Sequence, residues 1–245
     1  MPLAYRVIPT ILCRGRTLVK GRQFDSWRSV GVAAQAVRVH ALRGVDELVL
    51  LDIGATPEGR GPDLDLVREL SEVLFCPLAV GGGVRSVDDV KALLRAGADK
   101  VVIGTYAPAV AKLAADVAGV QAIVVAIDAT PSGAVAWQCG KAVSTLDAVV
   151  YARQVAGEGA GEILLTSIAR EGMLEGYDLD LIRRVSKAVG IPVVAHGGCG
   201  SYEHMAQAID AGASAVAAGA FFQFEKATPR EAAEYLAARG IEARV

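Results

Sequence analysis

Residues 46–107 read DELVLLDIGATPEGRGPDLDLVRELSEVLFCPLAVGGGVRSVDDVKALLRAGADKVVIGTYA, and residues 161–222 read GEILLTSIAREGMLEGYDLDLIRRVSKAVGIPVVAHGGCGSYEHMAQAIDAGASAVAAGAFF. Displaced by 115 positions, the first lies on the second without a gap, with 19 of 62 positions identical. Glu47 meets Glu162, Asp63-Leu64-Asp65-Leu66 meets Asp178-Leu179-Asp180-Leu181, and Pro77 meets Pro192. Gly82-Gly83 meets Gly197-Gly198, and Ala96-Gly97-Ala98 meets Ala211-Gly212-Ala213. A period this long is half of a domain rather than one unit of a solenoid.

Outside and inside the repeat, short β-branched apolar runs alternate with helix-length amphipathic segments. The strand candidates are 7–12, 48–52, 78–80, 101–104, 123–128, 163–166, 193–195 and 215–218. Each is almost continuously apolar, as strands covered on both faces are. Helices are expected over 27–42, 63–74, 86–96, 107–118, 145–157, 178–189, 201–211 and 228–238. Ser86 and Ser201 suit N-caps, and Gly97 and Gly212 suit the position just past a helix end. Eight strand–helix pairs in 245 residues predict a single (β/α)₈ barrel, with residues 1–121 and 122–245 as duplicated half-barrels. The rival, an open doubly wound sheet, lacks its G-x-G-x-x-G after the first strand.

The chain is 53% hydrophobic, enough for a large core, yet no apolar run reaches membrane-spanning length. A cytoplasmic protein is expected. Cys13, Cys76, Cys139 and Cys199 are scattered without a C-x-x-C pair, so free thiols are expected, with no metal site and no cofactor. Net charge is −2 with no basic block, which argues against nucleic acid but leaves small anionic substrates open.

In such a barrel the chemistry sits on loops that follow the strands. Gly81-Gly82-Gly83 follows the third strand, and Gly197-Gly198 the seventh. Glycines there let backbone N–H groups approach an anion, and a helix start adds partial positive charge; a plain tight turn has the same look. Small-residue strand ends follow each turn at Gly104-Thr105 and Gly219-Ala220. Gly82, Gly83, Gly104, Thr105, Gly172, Gly197, Gly198, Gly219 and Ala220 are therefore the candidate phosphate cradles, for a long ligand with an anion at each end. Asp128 and Asp52 each end an apolar strand, where a carboxylate is costly to desolvate and suits proton transfer, or caps a helix. Lys20 lies in a basic, glycine-bearing loop at 14–21 that is expected to be mobile over the mouth, or simply solvated. His196 beside the second glycine turn is a proton carrier or a packed neutral ring. His40 and His204, on helices, are expected at the surface. At the other end, Arg6, Glu47, Lys100 and Glu162 each stand directly before an apolar strand. Two cations and two anions there ring the opening and pair, or are ordinary solvated charges.

At these residues the sequence resembles the cyclase subunit of imidazole glycerol phosphate synthase, over essentially its whole length. The most specific pieces are Val80-Gly81-Gly82-Gly83-Val84-Arg85-Ser86, Ala98-Asp99-Lys100-Val101, Val124-Val125-Ala126-Ile127-Asp128-Ala129, Gly161-Glu162-Ile163-Leu164-Leu165-Thr166-Ser167 and Glu175-Gly176-Tyr177-Asp178-Leu179. The resemblance implies a barrel that docks a glutaminase subunit on its N-terminal face. Ammonia passes a salt-bridged gate and reacts with a bisphosphate at the other face. It implies that Arg6, Glu47, Lys100 and Glu162 are the gate, that Asp99 meets the glutaminase, and that Lys20, Asp52 and Asp128 belong to the catalytic site.

The departures are as informative. Leu12 in Ile8-Pro9-Thr10-Ile11-Leu12-Cys13 occupies the place of the family's first catalytic aspartate, and leucine transfers no proton. Gly104 replaces a phosphate-binding Asn and Ala220 a Ser. Ala169 and Glu171 replace aspartates, and His196 replaces a Ser. This pattern is similar to a HisF-like variant group associated with amidation of surface-polysaccharide sugars, which is thought to deliver ammonia to a separate sugar amidotransferase. The resemblance thus implies an ammonia-handling synthase subunit; ring closure in histidine synthesis is the alternative.

Overall fold

A computed structural model describes residues 4–243 of the chain. The chain opens with β1 (Arg6–Arg14), then an antiparallel hairpin of β2 (Thr17–Arg22) and β3 (Asp25–Val32), and helix α1 (Ala33–Leu42). Next come β4 (Leu48–Asp52), α2 (Leu64–Ser71), β5 (Leu78–Gly81), α3 (Val87–Arg95), β6 (Lys100–Ile103) and α4 (Ala107–Ala118). The second half begins with β7 (Ile123–Ala129), a hairpin of β8 (Ala134–Trp137) and β9 (Ala142–Asp147), and α5 (Ala148–Gly157). It continues through β10 (Glu162–Ser167), α6 (Leu179–Ala188), β11 (Val193–His196), α7 (Tyr202–Asp210) and β12 (Ala215–Ala218). The short α8 (Ala220–Phe224) and α9 (Pro229–Ala238) follow.

Strands β1, β4, β5, β6, β7, β10, β11 and β12 pair in parallel in that order, and β12 returns to β1. The sheet therefore closes, and the protein is a (β/α)₈ barrel. Closure leaves no sheet edge, and the apolar strands are buried on both faces because their side chains alternate. One set packs inside the barrel: Ile8, Val49, Ala79, Val102, Val124, Leu164, Val194 and Ala217. The other packs under the helices, where Ile11, Leu48, Val101, Ile123, Ile163 and Val193 meet residues such as Val67, Leu93, Val185 and Met205.

The sequence repeat has structural counterparts. Asp63 and Asp178 cap α2 and α6 with nearly the same backbone angles, φ −82° and ψ 88° against −79° and 86°. Ser86 and Ser201 cap α3 and α7 by accepting from the third N–H. Gly97 and Gly212 both turn at φ +108°.

Two expected helices begin later than the periodicity suggests. Residues 27–32 and 145–147 are strands of the two hairpins, and the helices start at Ala33 and Ala148. Cross-strand pairing overrides local pattern here, and Asp147 then caps α5 from Val149 and Val150. His40, expected at the surface, is buried edge-on against Phe222, and burial holds its pKa down to about 4. No helix among the described residues is long and apolar enough to cross a membrane.

Candidate functional site

The barrel's inward alternation carries charges at one end and polar groups at the other. Along β1 the inward positions are Arg6, Ile8, Thr10 and Leu12; along β10 they are Glu162, Leu164 and Thr166. At the N-terminal opening Arg6 donates to Glu47 at 2.5 Å and also to Glu162. Lys100 Nζ lies 2.9 Å from both oxygens of Glu47 and 2.9 Å from Glu162 Oε2. Both carboxylates are buried. Burial pushes the Glu162 carboxyl up, but Arg6 and Lys100 outweigh it and hold the group below its ordinary range. The four residues singled out at the strand starts thus form one closed ring. Inside it lies the apolar column described above, where the Thr10 hydroxyl is buried without a partner among the described residues.

At the opposite mouth, a chamber is lined by Leu12, Phe24, Trp27, Asp52, Gly81, Gly82, Gly83, Gly104, Thr105, Asp128, Cys139, Thr166 and His196. A smaller cavity beside it takes in Glu171, Gly172, Gly197, Gly198, Gly219 and Ala220, with Leu12 and His196 in the wall shared by both. The candidate cradle residues therefore do converge, in two groups, on the face opposite the charge ring. At Gly198, φ is +104° and an added Cβ would lie 2.2 Å from the Gly176 carbonyl oxygen, so no side chain fits. Gly104 differs: an added Cβ would meet only Ala126, at 3.9 Å, so glycine here leaves chamber volume open. Thr105 Oγ1 accepts from Gln138 N at 2.9 Å and tethers the turn between β8 and β9.

Asp128 faces the chamber and is half-buried. Burial raises its pKa to about 7, and the hydroxyl of Thr166, its neighbour in the register of β7 and β10, opposes that rise. Asp52 is engaged otherwise. Its Oδ1 accepts from the backbone N–H groups of Gly15, Gly54 and Ala55 at 3.2, 3.0 and 3.1 Å, and Arg60 pairs with Oδ2 at 3.0 Å.

Lys20 is not in a mobile loop. It lies on β2, is 3% exposed, and points inward with Nζ 3.5 Å from the Thr10 carbonyl oxygen. Burial lowers its pKa to about 8. The hairpin tip is tied down, with Gln23 N donating to Glu171 O and Gln23 Nε2 to Ala169 O. Its Phe24 ring meets Gly140 at the turn of the second hairpin.

The model of the family described as "Histidine biosynthesis protein" matches residues 6–228. The chain belongs to that family. It is 42% identical over 249 residues to "Imidazole glycerol phosphate synthase subunit HisF" of Endomicrobium trichonymphae, covering 99% of this chain and 96% of the relative. It is thus a HisF-like barrel, the kind of chain that serves as an enzyme subunit.

Three features of this HisF-like barrel were not evident from sequence. Glu171, buried at 4% exposure with Oε2 unpartnered among the described residues, sits within electrostatic reach of Lys20. Its position after Gly197's neighbouring strand gave no signal of burial. Thr166 bridges toward His196, with Oγ1 to Nδ1 at 3.2 Å, because β7, β10 and β11 place Asp128, Thr166 and His196 in one register. Finally, at the charge-ring end Phe75, on the loop after α2, is fully exposed and Leu42, the last residue of α1, is 89% exposed, with Phe75 beside Asp99 in a groove. The Asp99 carboxylate accepts from Leu78 N at 2.8 Å while remaining at the surface.

Proposed function

We propose that this HisF-like subunit receives ammonia from a glutaminase docked on the charge-ring face. It conducts the ammonia through the barrel and delivers it to a phosphorylated or sugar acceptor at the opposite mouth. The closed ring of Arg6, Glu47, Lys100 and Glu162 carries the reading. Four charges that neutralise one another exclude bulk water, and a local opening admits a small neutral molecule. The column beyond is lined by Val49, Ala79, Val102, Val124, Leu164 and Val194. Ammonia crosses such a lining without the desolvation cost that an ammonium ion would meet. Exposed Phe75 and Leu42 with Asp99 supply apolar anchors and an orienting charge for the partner.

At the mouth, Gly82, Gly83, Gly104 and Thr105 serve one end of the acceptor. Gly172, Gly197, Gly198, Gly219 and Ala220 serve the other, near Lys20. Asp128 is the acid–base group, and Asp52 shapes the loop that Arg60 closes. We read residues 1–121 and 122–245 as fused half-barrels, on the matched caps and turns of the repeat. The acceptor is a sugar amidated with a further amidotransferase, because Leu12 stands in the chamber wall where ring closure needs a second acid.

The second reading, ring closure in histidine synthesis, is favoured by the name of the 42%-identical relative. Co-expression with a glutaminase subunit from the same genome tests the shared part: a complex with glutamine-dependent amidation is expected, and absence of any complex refutes it. Complementation of a strain lacking the histidine cyclase separates the acceptors. No growth without histidine is expected, and growth establishes the second reading.

A further inference from the structure

We propose that Thr166 joins Asp128 and His196 into a proton relay. In it His196 is a second proton-carrying group of the chamber, on the opposite side of Thr166 from Asp128. The inference rests on the reading that ammonia chemistry takes place in this chamber. Its geometric basis is the register of three adjacent strands, in which Thr166 lies beside Asp128 on one side and His196 on the other. Thr166 is 3% exposed, its hydroxyl lies 3.2 Å from His196 Nδ1, and it stands beside Asp128 in the register of β7 and β10, near enough to oppose the rise of that carboxyl's pKa. Asp128, Thr166 and His196 all line the chamber, and His196 also reaches the smaller cavity.

A hydroxyl has one proton to donate and lone pairs to accept, so the two bonds of Thr166 are not independent. When Asp128 is ionised, the hydroxyl donates to the carboxylate. Nδ1–H of His196 then donates to Thr166 Oγ1, and Nε2 carries a lone pair. A proton arriving at Nε2 moves the Nδ1 proton to Oγ1 and the hydroxyl proton to Asp128. The result is a protonated Asp128, a Thr166 hydroxyl donating to Nδ1, and a neutral ring with its proton on Nε2. One proton has been taken up, and no imidazolium has formed.

This suits the surroundings of the ring. Burial, aided by the Lys20 ammonium, depresses the His196 pKa to about 4, so a free-standing imidazolium is strongly disfavoured. Burial, with Glu171 adding repulsion, makes Asp128 the easier place to leave the proton. Cys139 also faces Asp128, but its own thiol is pushed up to about 12 and does not compete. The neighbours that bear on the relay are therefore Lys20 on the histidine side and Glu171 and Cys139 on the aspartate side. A buried histidine alone would be a poor base; coupled through Thr166, it accepts a proton at a cost set by the carboxylate.

The test reads tautomers rather than activity, using the full chain labelled with ¹⁵N, with His40→Gln and His204→Gln to assign the ring signals. Long-range ¹H–¹⁵N spectra between pH 5 and 9 should show His196 as the Nδ1–H tautomer at high pH. It should pass to the Nε2–H tautomer as Asp128 protonates, without a doubly protonated ring. Thr166→Val, nearly the same shape without the hydroxyl, should abolish the switch, and Thr166→Ser should restore it. Asp128→Asn should fix one tautomer at all pH values. A single His196 tautomer across the range in the wild type overturns the relay, as does a switch that survives in Thr166→Val. If the glutaminase complex fails to form while the tautomer switch is present, the functional reading falls and the relay stands.

Discussion

Replacing Arg6 by alanine removes one of the two cations that hold Glu47 and Glu162, and its cost follows from the ring's geometry. In the wild type each carboxylate faces Arg6 on one side and Lys100 at 2.9 Å on the other. In the variant two buried carboxylates share one ammonium, leaving a net negative charge inside. Breaking a fully buried pair costs about 3–5 kcal/mol. Here Lys100 persists, and the side chains of Arg6 and Lys100 keep 22% and 21% exposure, so water tempers the loss. A destabilisation of about 2–3 kcal/mol is expected, or roughly 4–12 °C in Tm for a chain of this size.

The pH dependence is the sharper test. The folded-state pKa of Glu162 is lowered, so its stabilisation is present above the unfolded carboxyl pKa and fades as pH falls through the folded value. Loss of Arg6 should raise that pKa, so urea unfolding at pH 8 and pH 5 should show a larger penalty at pH 8. Equal penalties at the two pH values, or a penalty under about 0.5 kcal/mol, the level of an exposed pair, would refute the buried-ring account.

Asp128→Asn should stabilise the fold more at pH 8.5 than at pH 5. A raised carboxyl pKa of about 7 means that stability is lost as pH rises from the unfolded pKa through that value, and urea curves at both pH values check it. The same change should slow glutamine-dependent product formation by about 10² to 10⁴-fold in the complex. Thr10→Val should leave the fold as stable or more so, by about 1 kcal/mol, since it removes a buried hydroxyl with no partner among the described residues, as denaturation midpoints will show. Phe75→Ser should weaken binding of the glutaminase at least tenfold by calorimetry while leaving Tm unchanged, because the ring is fully exposed. Gly198→Ala should destabilise by about 1–3 kcal/mol through its φ of +104° and the clash with Gly176, and should close the small cavity to phosphate in a binding titration.

Most of the barrel was legible because its signals are local and repeated. The strand at 48–52 and that at 215–218 keep their bounds, and the others shift by a residue or two at the ends. Ser86, Ser201, Gly97 and Gly212 act where their chemistry places them. The two hairpins were not legible. Helix-like spacing at 27–42 and 145–157 competes with pairing to β2 and β8, and only the closed structure shows which wins. Lys20 illustrates the same limit: arginines and glycines at 14–21 read as a solvated loop, yet pairing of β2 with β1 and β3 makes it a strand and buries this one lysine. The histidine helix position at 40 fails for the opposite reason, since α1 packs that face against Phe222 of the short α8.

The two ends of the barrel handle buried charge in opposite ways. At the ring every carboxylate touches two cations, and the Glu162 carboxyl is held below its ordinary range. At the mouth the charges are kept apart. Lys20 hydrogen-bonds to the Thr10 carbonyl oxygen and feels Glu171 only at a distance, Glu171 leaves an oxygen unpartnered among the described residues, and Asp128 has Thr166 rather than a cation beside it in register. Each is thereby moved toward neutrality near pH 7: Lys20 down to about 8, Asp128 up to about 7, Glu171 upward. Groups that change charge near the working pH are useful for moving protons and costly for stability, and a fold retains them where substrate will supply the missing partner. The apolar column between the two ends carries no titratable group among the described residues, so under the proposed function ammonia entering neutral would reach Asp128 and His196 neutral, with its lone pair available.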